Sequence, residues 1–323
     1  MRAGAVAVAA IVAGGAVAAA AVTTLREPAV VTEQAERVRP PGPLVGGCEV
    51  FPADNAWNTP IDEAPVHADS AAIIARIQSS GGRRLHPDFG ENPLYGIPYV
   101  VVPPTQPAVP IDYVAYGDES DPGPFPIPPD ASVEGGAASD GDRHVVVVQS
   151  GSCELFELYR AFPSGSGWRA DSGARFDLGS NALRPLGWTS ADAAGLPILP
   201  GLVRYEEVAA GEIRHAIRVT FSQTRRGYVL PATHFASASD AADLPAMGLR
   251  FRLQASFDVS TLTGQARVIA VAMQRYGLIV ADNGSNWFFQ GAPSRGWSDE
   301  DLNQLKSIDG SWFEVVDTGP VLP

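Results

Sequence analysis

The residues of this chain that could do chemistry are five histidines, a dispersed set of carboxylates and many arginines. Residues 214–221 read as a strand, with His215, Ile217, Val219 and Phe221 on one face and Arg214, Ala216, Arg218 and Thr220 on the other. His215 is then either a core histidine with one hydrogen-bond partner or a catalytic base at the edge of a groove, its proton affinity tuned by burial. His234 follows a second strand candidate, 227–231, in the loop position where enzymes often hold an acid or base. A histidine there can equally bind backbone groups. His144, beside Asp142 and Arg143 at a strand start, reads as structural, and His86-Pro87-Asp88 has the composition of a turn.

Two further groups extend the list. Arg250, Arg252 and Gln254 alternate with Leu249, Phe251 and Leu253, so this strand and 214–221 could gather Arg218, Arg250 and Arg252 into one face. The planar guanidinium fork suits carboxylate or sulfate groups of an acidic glycan; the plain alternative is a solvated face paired with the chain's own acids. In the segment 181–207, Asn181, Arg184 and Trp188 mix polar donors with an aromatic face, a combination suited to sugar recognition. Asp192 and Glu206 are the candidate catalytic carboxylates there. A retaining glycosidase needs two such groups about 5–5.5 Å apart and an inverting one about 6.5–9.5 Å. The structural alternatives are a helix first turn capped by Ser190 for Asp192, and a solvated helix start for Glu206. Asp282-Asn283-Gly284-Ser285 reads as a hairpin turn between strands 277–281 and 286–290. Nucleophile elbows, phosphate loops, dinucleotide fingerprints and zinc-type spacings are missing from the sequence, which points to no metal and no cofactor.

The elements that must position these groups are short. Strands are expected at 97–102, 143–149, 154–159, 214–221, 227–231, 249–256, 277–281, 286–290 and 313–316, with 143–149 and 154–159 forming a hairpin. Helices are expected at 68–80, 190–194, 205–210, 265–276 and 298–306; Ile73, Ile74 and Ile77 share a face of the first, and Ser298 can cap the last. Short strands between Pro- and Gly-rich loops predict a mainly β domain, a single β-sandwich or jelly-roll-like body with a few short helices.

Composition narrows the partners. The chain of 323 residues carries a formal charge of −13, which argues against nucleic acid as a partner. Lys306 is the only lysine, so fixed cations are arginines. Residues 1–22 form an Ala/Val/Gly run behind Met1-Arg2, read as an export signal or a single N-terminal membrane anchor. Residues 23–47 read as a Pro/Gly-rich tether, 48–318 as the β-rich domain and 319–323 as a tail. Cys48 and Cys153, 105 residues apart, read as one disulfide of an exported chain. Closing that loop removes chain entropy worth about 4–5 kcal/mol.

Phe51-Pro52-Ala53-Asp54-Asn55, Leu85-His86-Pro87-Asp88-Phe89-Gly90, Gly96-Ile97-Pro98-Tyr99-Val100-Val101-Val102 and Gly187-Trp188-Thr189-Ser190-Ala191-Asp192 resemble strings found in a family of exported bacterial proteins rich in Ala, Arg and Pro. That resemblance implies one exported domain and carries over no catalytic residue. The expectation is a secreted, monomeric, carbohydrate-active protein that cleaves an extracellular glycan or cell-wall polymer. Asp192 and Glu206 would serve in a hydrolase. In a lyase His215 or His234 would remove the proton, Arg218 would neutralise the uronate and Tyr228 would protonate the leaving oxygen. The alternative is a non-catalytic glycan- or cell-wall-binding module, or one anchored in the membrane and facing outward.

Overall fold

A computed structural model describes residues 42–323. The signal or anchor assigned to 1–22, and the tether up to residue 41, lie outside the described residues. β1 (Leu44–Val45) turns through Gly46-Gly47 into β2 (Cys48–Glu49), and Val45 is buried, so residues 44–47 already belong to the folded body. α1 (Ser70–Ser79) buries Ile73, Ile74 and Ile77, as their spacing predicts. β3 (His86–Asp88), β4 (Tyr99–Val102) and β5 (Ile111–Tyr113) follow. β6 (Val145–Gln149) and β7 (Glu154–Tyr159) form the expected antiparallel hairpin. Next come β8 (Phe162–Ser164), β9 (Gly167–Ala170) and β10 (Ser172–Asp177), then α2 (Tyr205–Ala209), β11 (Ile217–Phe221) and β12 (Arg250–Leu253). α3 (Gly264–Arg275), β13 (Leu278–Asn283), β14 (Phe288–Gln290), α4 (Asp299–Asn303) and β15 (Phe313–Val316) complete the order.

The protein is mainly β, with several sheets and a few short helices. One sheet runs β10-β7-β6-β4, a second β15-β12-β13-β11-β14-β3 and a third β5-β9-β8. Val146, Val148, Leu155 and Phe176 of the first share a core with Ile217, Val219, Phe251 and Val280 of the second, a sandwich-like packing. The other face of the first sheet, with Val145, Val147, Phe156 and Leu158, packs on Phe125, Ile127 and Trp168. Coverage on both faces explains why four successive valines occur at 145–148. The sheets are mixed: β4 with β6, β11 with β13, and β14 with β3 are parallel pairs. Cys48 and Cys153 are disulfide-bonded, tying the start of the body to the turn between β6 and β7.

His86-Pro87-Asp88, with the composition of a turn, is instead a strand paired in parallel with β14, and four further local expectations are corrected. All five residues of β11 are buried, so the strand has no wet face. Arg218 and Arg250 do fall on one row, both opposite Ile279, but that row is covered by the chain's own segments. A Cβ on Gly201 would lie 2.8 Å from Arg218 Cβ, so only glycine fits at that approach. Second, 277–281 and 286–290 do not pair as a hairpin. β11 lies between β13 and β14, and the Asn283-Gly284 loop passes over its end. Third, 190–194 is not helical, because Ser190 Oγ accepts from Asp192 N–H (2.9 Å) and donates to Leu196 O (2.5 Å), holding a loop. Fourth, 227–231 forms no strand; Tyr228 makes isolated bridges to Met247 and to Leu322. The last of these docks part of 319–323 onto the body, with N–H to O distances of 3.0 and 2.7 Å. Among the described residues no helix is long and apolar enough to cross a membrane.

Candidate functional site

The ends of several strands meet at a polar cleft of about 230 Å³. His144 enters it from the residue before β6, Glu134 and Asp142 from the preceding loop, Arg218 and Thr220 from β11, and Asp282 from β13. Gln290 of β14 and Asp88 of β3 complete the far wall.

Local backbone features aim these groups. The pairing of β11 with β13 runs Arg218 to Ile279 and Val219 to Val280, then skips Ala281 to pair Thr220 with Asp282. Without that extra residue, Ala281 would share the face of Ile279 and Asp282 would point away. The bulge turns Asp282 into the cleft beside Arg218 and Thr220, a recognised use of such irregularities. Arg143 adopts φ +51°, a left-handed conformation costly for a residue with a side chain. Its buried guanidinium offsets that cost by donating to Ala161 O (3.0 Å), Ala137 O (3.0 Å) and Ser139 O (2.7 Å). Arg143 therefore pins the loop that carries Glu134 and Asp142 next to His144.

The charges are arranged in pairs. Arg218 grips Asp192 through both carboxylate oxygens, Nε to Oδ2 at 2.9 Å, and Asp192 is fully buried behind the cleft. His144 Nδ1 lies 2.6 Å from Glu134 Oε2 and Nε2 lies 3.1 Å from Ala191 O. Both ring nitrogens thus face acceptors, which suits the doubly protonated imidazolium. Burial opposes that charge, but the Glu134 carboxylate outweighs it and His144 rises to about 9. Burial likewise works against Glu134, and His144 overcomes it, holding this carboxyl below the usual range.

Asp282 has the opposite tendency. Burial, then the nearby Asp192 charge, push it up to about 7, despite Arg218 and a 2.6 Å hydrogen bond from Asn283 N–H. Behind these groups, fully buried Glu157 accepts from Ile198 N–H and Leu199 N–H at 2.9–3.0 Å. Burial raises it to about 7 as well. One cleft therefore holds a carboxyl that keeps its proton near neutrality and a carboxylate that does not, the pattern that assigns acid and base roles. Among the described residues no three His, Cys, Asp or Glu side chains gather as metal ligands.

Of the residues singled out from sequence, Arg218 lines this cleft and Asp192 backs it; the others lie elsewhere. His215 is fully buried, its Nδ1 2.7 Å from Ala216 O and its Nε2 3.1 Å from Glu207, which also pairs with Arg204 at 2.8 Å. His234 Nδ1 donates to Ala193 O (2.8 Å) and its Nε2 is 3.8 Å from Glu119. Tyr228 is buried. Glu206 lines a separate depression of about 390 Å³ with Tyr99 and Tyr205. Arg250 donates to the carbonyls of Ala56, Thr59 and Tyr276, while Arg252 binds Glu314 and the carbonyls of Ile61, Asp62 and Ala64. Asn181 and Arg184 border a third hollow; Asn181 bonds Asp54 and Asn55, and Arg184 bonds Asp121, Glu119 O and Thr189 O beside the Trp188 ring.

His144, Glu134, Asp282, Asp88 and Gln290 were not singled out from sequence as functional. One signal was available: alternation puts His144 on the same face as Val146 and Val148, a buried histidine directly after an Asp-Arg pair. No protein-family model, curated protein or solved structure matches the chain, so the site rests on its own geometry.

Proposed function

We propose that the protein is an exported carbohydrate-active enzyme that hydrolyses a glycan at the cleft between Asp282 and Glu134. The observation that carries this reading is that one cleft is lined by two carboxyls in opposed settings: Glu134 is held 2.6 Å from His144 Nδ1 and lowered, and Asp282 is turned in by the bulge and pushed up by burial. Asp282 delivers a proton to the glycosidic oxygen. Glu134, kept ionised by His144, acts as base toward water or as nucleophile at the anomeric carbon. Asp88 is the poorer partner for Asp282. Their strands are separated by β11 and β14, three spacings of about 4.8 Å, wider than either glycosidase geometry. Export draws support from the apolar N-terminal run and the disulfide.

β-Elimination draws less support, because neither cleft cation is free to neutralise a uronate: Arg218 is paired with Asp192 and His144 with Glu134. The test is to incubate the wild type and Asp282→Asn with neutral, amino-bearing and uronate glycans, reading reducing ends and ultraviolet absorbance. Hydrolysis gives new reducing ends without absorbance, and Asp282→Asn lowers the rate by about 10²–10⁴. An absorbing product overturns hydrolysis in favour of elimination. Retention of a glycan without any turnover overturns the enzyme reading in favour of a binding module.

A further inference from the structure

We infer that Asp88 and Gln290 form an amino-sugar subsite in this cleft, the sugar ammonium meeting Asp88 and an adjacent hydroxyl meeting the Gln290 amide. This rests on the reading of the cleft as a glycan site and specifies which glycan.

The first ground is charge. Six ionisable residues line the cleft: Asp88, Glu134, Asp142, His144, Arg218 and Asp282. Both cations are consumed, Arg218 by Asp192 and His144 by Glu134. Asp88 and Asp142 have no ion pair with any cation among the described residues, and Asp282, which holds its proton toward neutrality, brings no positive charge. An acidic sugar would be repelled, and a cationic one attracted through a partly desolvated path.

The second ground is independent of charge. Gln290 is 6% exposed, its amide makes no side-chain hydrogen bond within the described protein, and its Oε1 is a buried acceptor without a donor. An unsatisfied buried amide is costly, and one that lines a cleft is matched by a ligand hydroxyl, which both donates and accepts. Gln290 and Asp88 are direct register partners on adjacent strands, so their side chains project the same way about 5 Å apart. That spacing suits neighbouring amino and hydroxyl substituents on one pyranose.

Aromatic surface supplies the third ground. The Tyr95 hydroxyl lies beside Asp88, and Tyr95 as a residue is 37% exposed. Phe288, within the cleft, stacks on His86 at 4.0 Å. Such faces pack against a pyranose and favour a nearby ammonium over an acid.

The experiment measures binding of tetra-glucosamine and tetra-N-acetylglucosamine to the full chain at low salt, by calorimetry, for the wild type, Asp88→Asn and Gln290→Ala. The amino tetramer should bind at least tenfold tighter than the acetylated one. Asp88→Asn, nearly isosteric, should erase that preference while changing affinity for the acetylated tetramer less than twofold. Gln290→Ala should weaken both several-fold. Equal affinities, no binding of the amino tetramer, or a preference that survives Asp88→Asn overturns the subsite. Turnover of each tetramer, measured alongside, separates this from the catalytic reading. Asp88-dependent binding without hydrolysis leaves the subsite standing and removes the enzyme, whereas hydrolysis with no amino preference does the reverse.

Discussion

Replacing Arg218 by methionine keeps the bulk of the side chain and removes its charge, and the cost can be worked out from its partner. Asp192 has no exposed surface, and its two carboxylate oxygens are both held by Arg218. No other side chain is hydrogen-bonded to that carboxylate among the described residues. Arg218→Met therefore leaves a buried, uncompensated charge, which costs about 3–5 kcal/mol. Asp192→Leu strands the guanidinium in the same way. The double variant removes both charges, and because a buried pair often does no better than apolar residues of similar volume, its loss should be within about 2 kcal/mol of the wild type. Urea unfolding of all four proteins at pH 7 closes the cycle, with an expected coupling of at least about 3 kcal/mol between the two sites. A loss below about 1 kcal/mol for Arg218→Met, or a double variant as unstable as the sum of the singles, would show that Asp192 is not a buried charge dependent on Arg218.

Glu157→Ala deprives Ile198 N–H and Leu199 N–H of their shared acceptor, and each buried orphan costs about 1–3 kcal/mol, so thermal unfolding should fall by several degrees. An unchanged melting temperature would remove Glu157 from the support of the 196–202 loop. Stability should also depend on pH with a definite sign. Asp282 and Glu157, raised to about 7, hold their protons longer folded than unfolded, so stability is lost as pH climbs from their ordinary range near 4 to about 7. The His144 contribution is complete below 6.5 and disappears as pH rises to about 9. Burial works against ionised Glu207, but Arg204 and His215 pull it down to about 2; with Glu134, also lowered, it stabilises above about 4.5 and loses that contribution as pH falls. Calorimetry across pH 3–9 should therefore find the highest melting temperature around pH 5. A maximum at pH 8 would contradict these assignments.

Much of the scaffold was legible because its signals are local. The Ile73, Ile74 and Ile77 spacing marks α1, the paired apolar runs mark the β6–β7 hairpin, and Ser298 caps α4 by accepting from Asp301 N–H at 3.1 Å. The site was not legible, for reasons that are equally physical. Strict alternation predicts one wet face for β11, but the strand is covered on both sides, so its arginine belongs to a buried pair. Asn283-Gly284 carries the strongest short hairpin signal, yet the strands it joins are kept apart by β11, whose position depends on pairing with residues 60 or more positions away. The bulge at Ala281 leaves no mark in composition, and it alone decides that Asp282 faces the cleft. His144 acquires its partner from Glu134, ten residues back in a Gly-rich loop that Arg143 ties down through the Ala137 and Ser139 carbonyls.

The proposed chemistry needs Asp282 to keep its proton to near neutrality inside this cleft. Carbon-13 NMR of protein labelled at aspartate carboxyls, titrated from pH 3 to 9 and assigned with Asp282→Asn, reads that proton directly. A midpoint near 7 is expected for Asp282, absent from the variant. A midpoint near 4 would contradict it and leave the cleft without its acid.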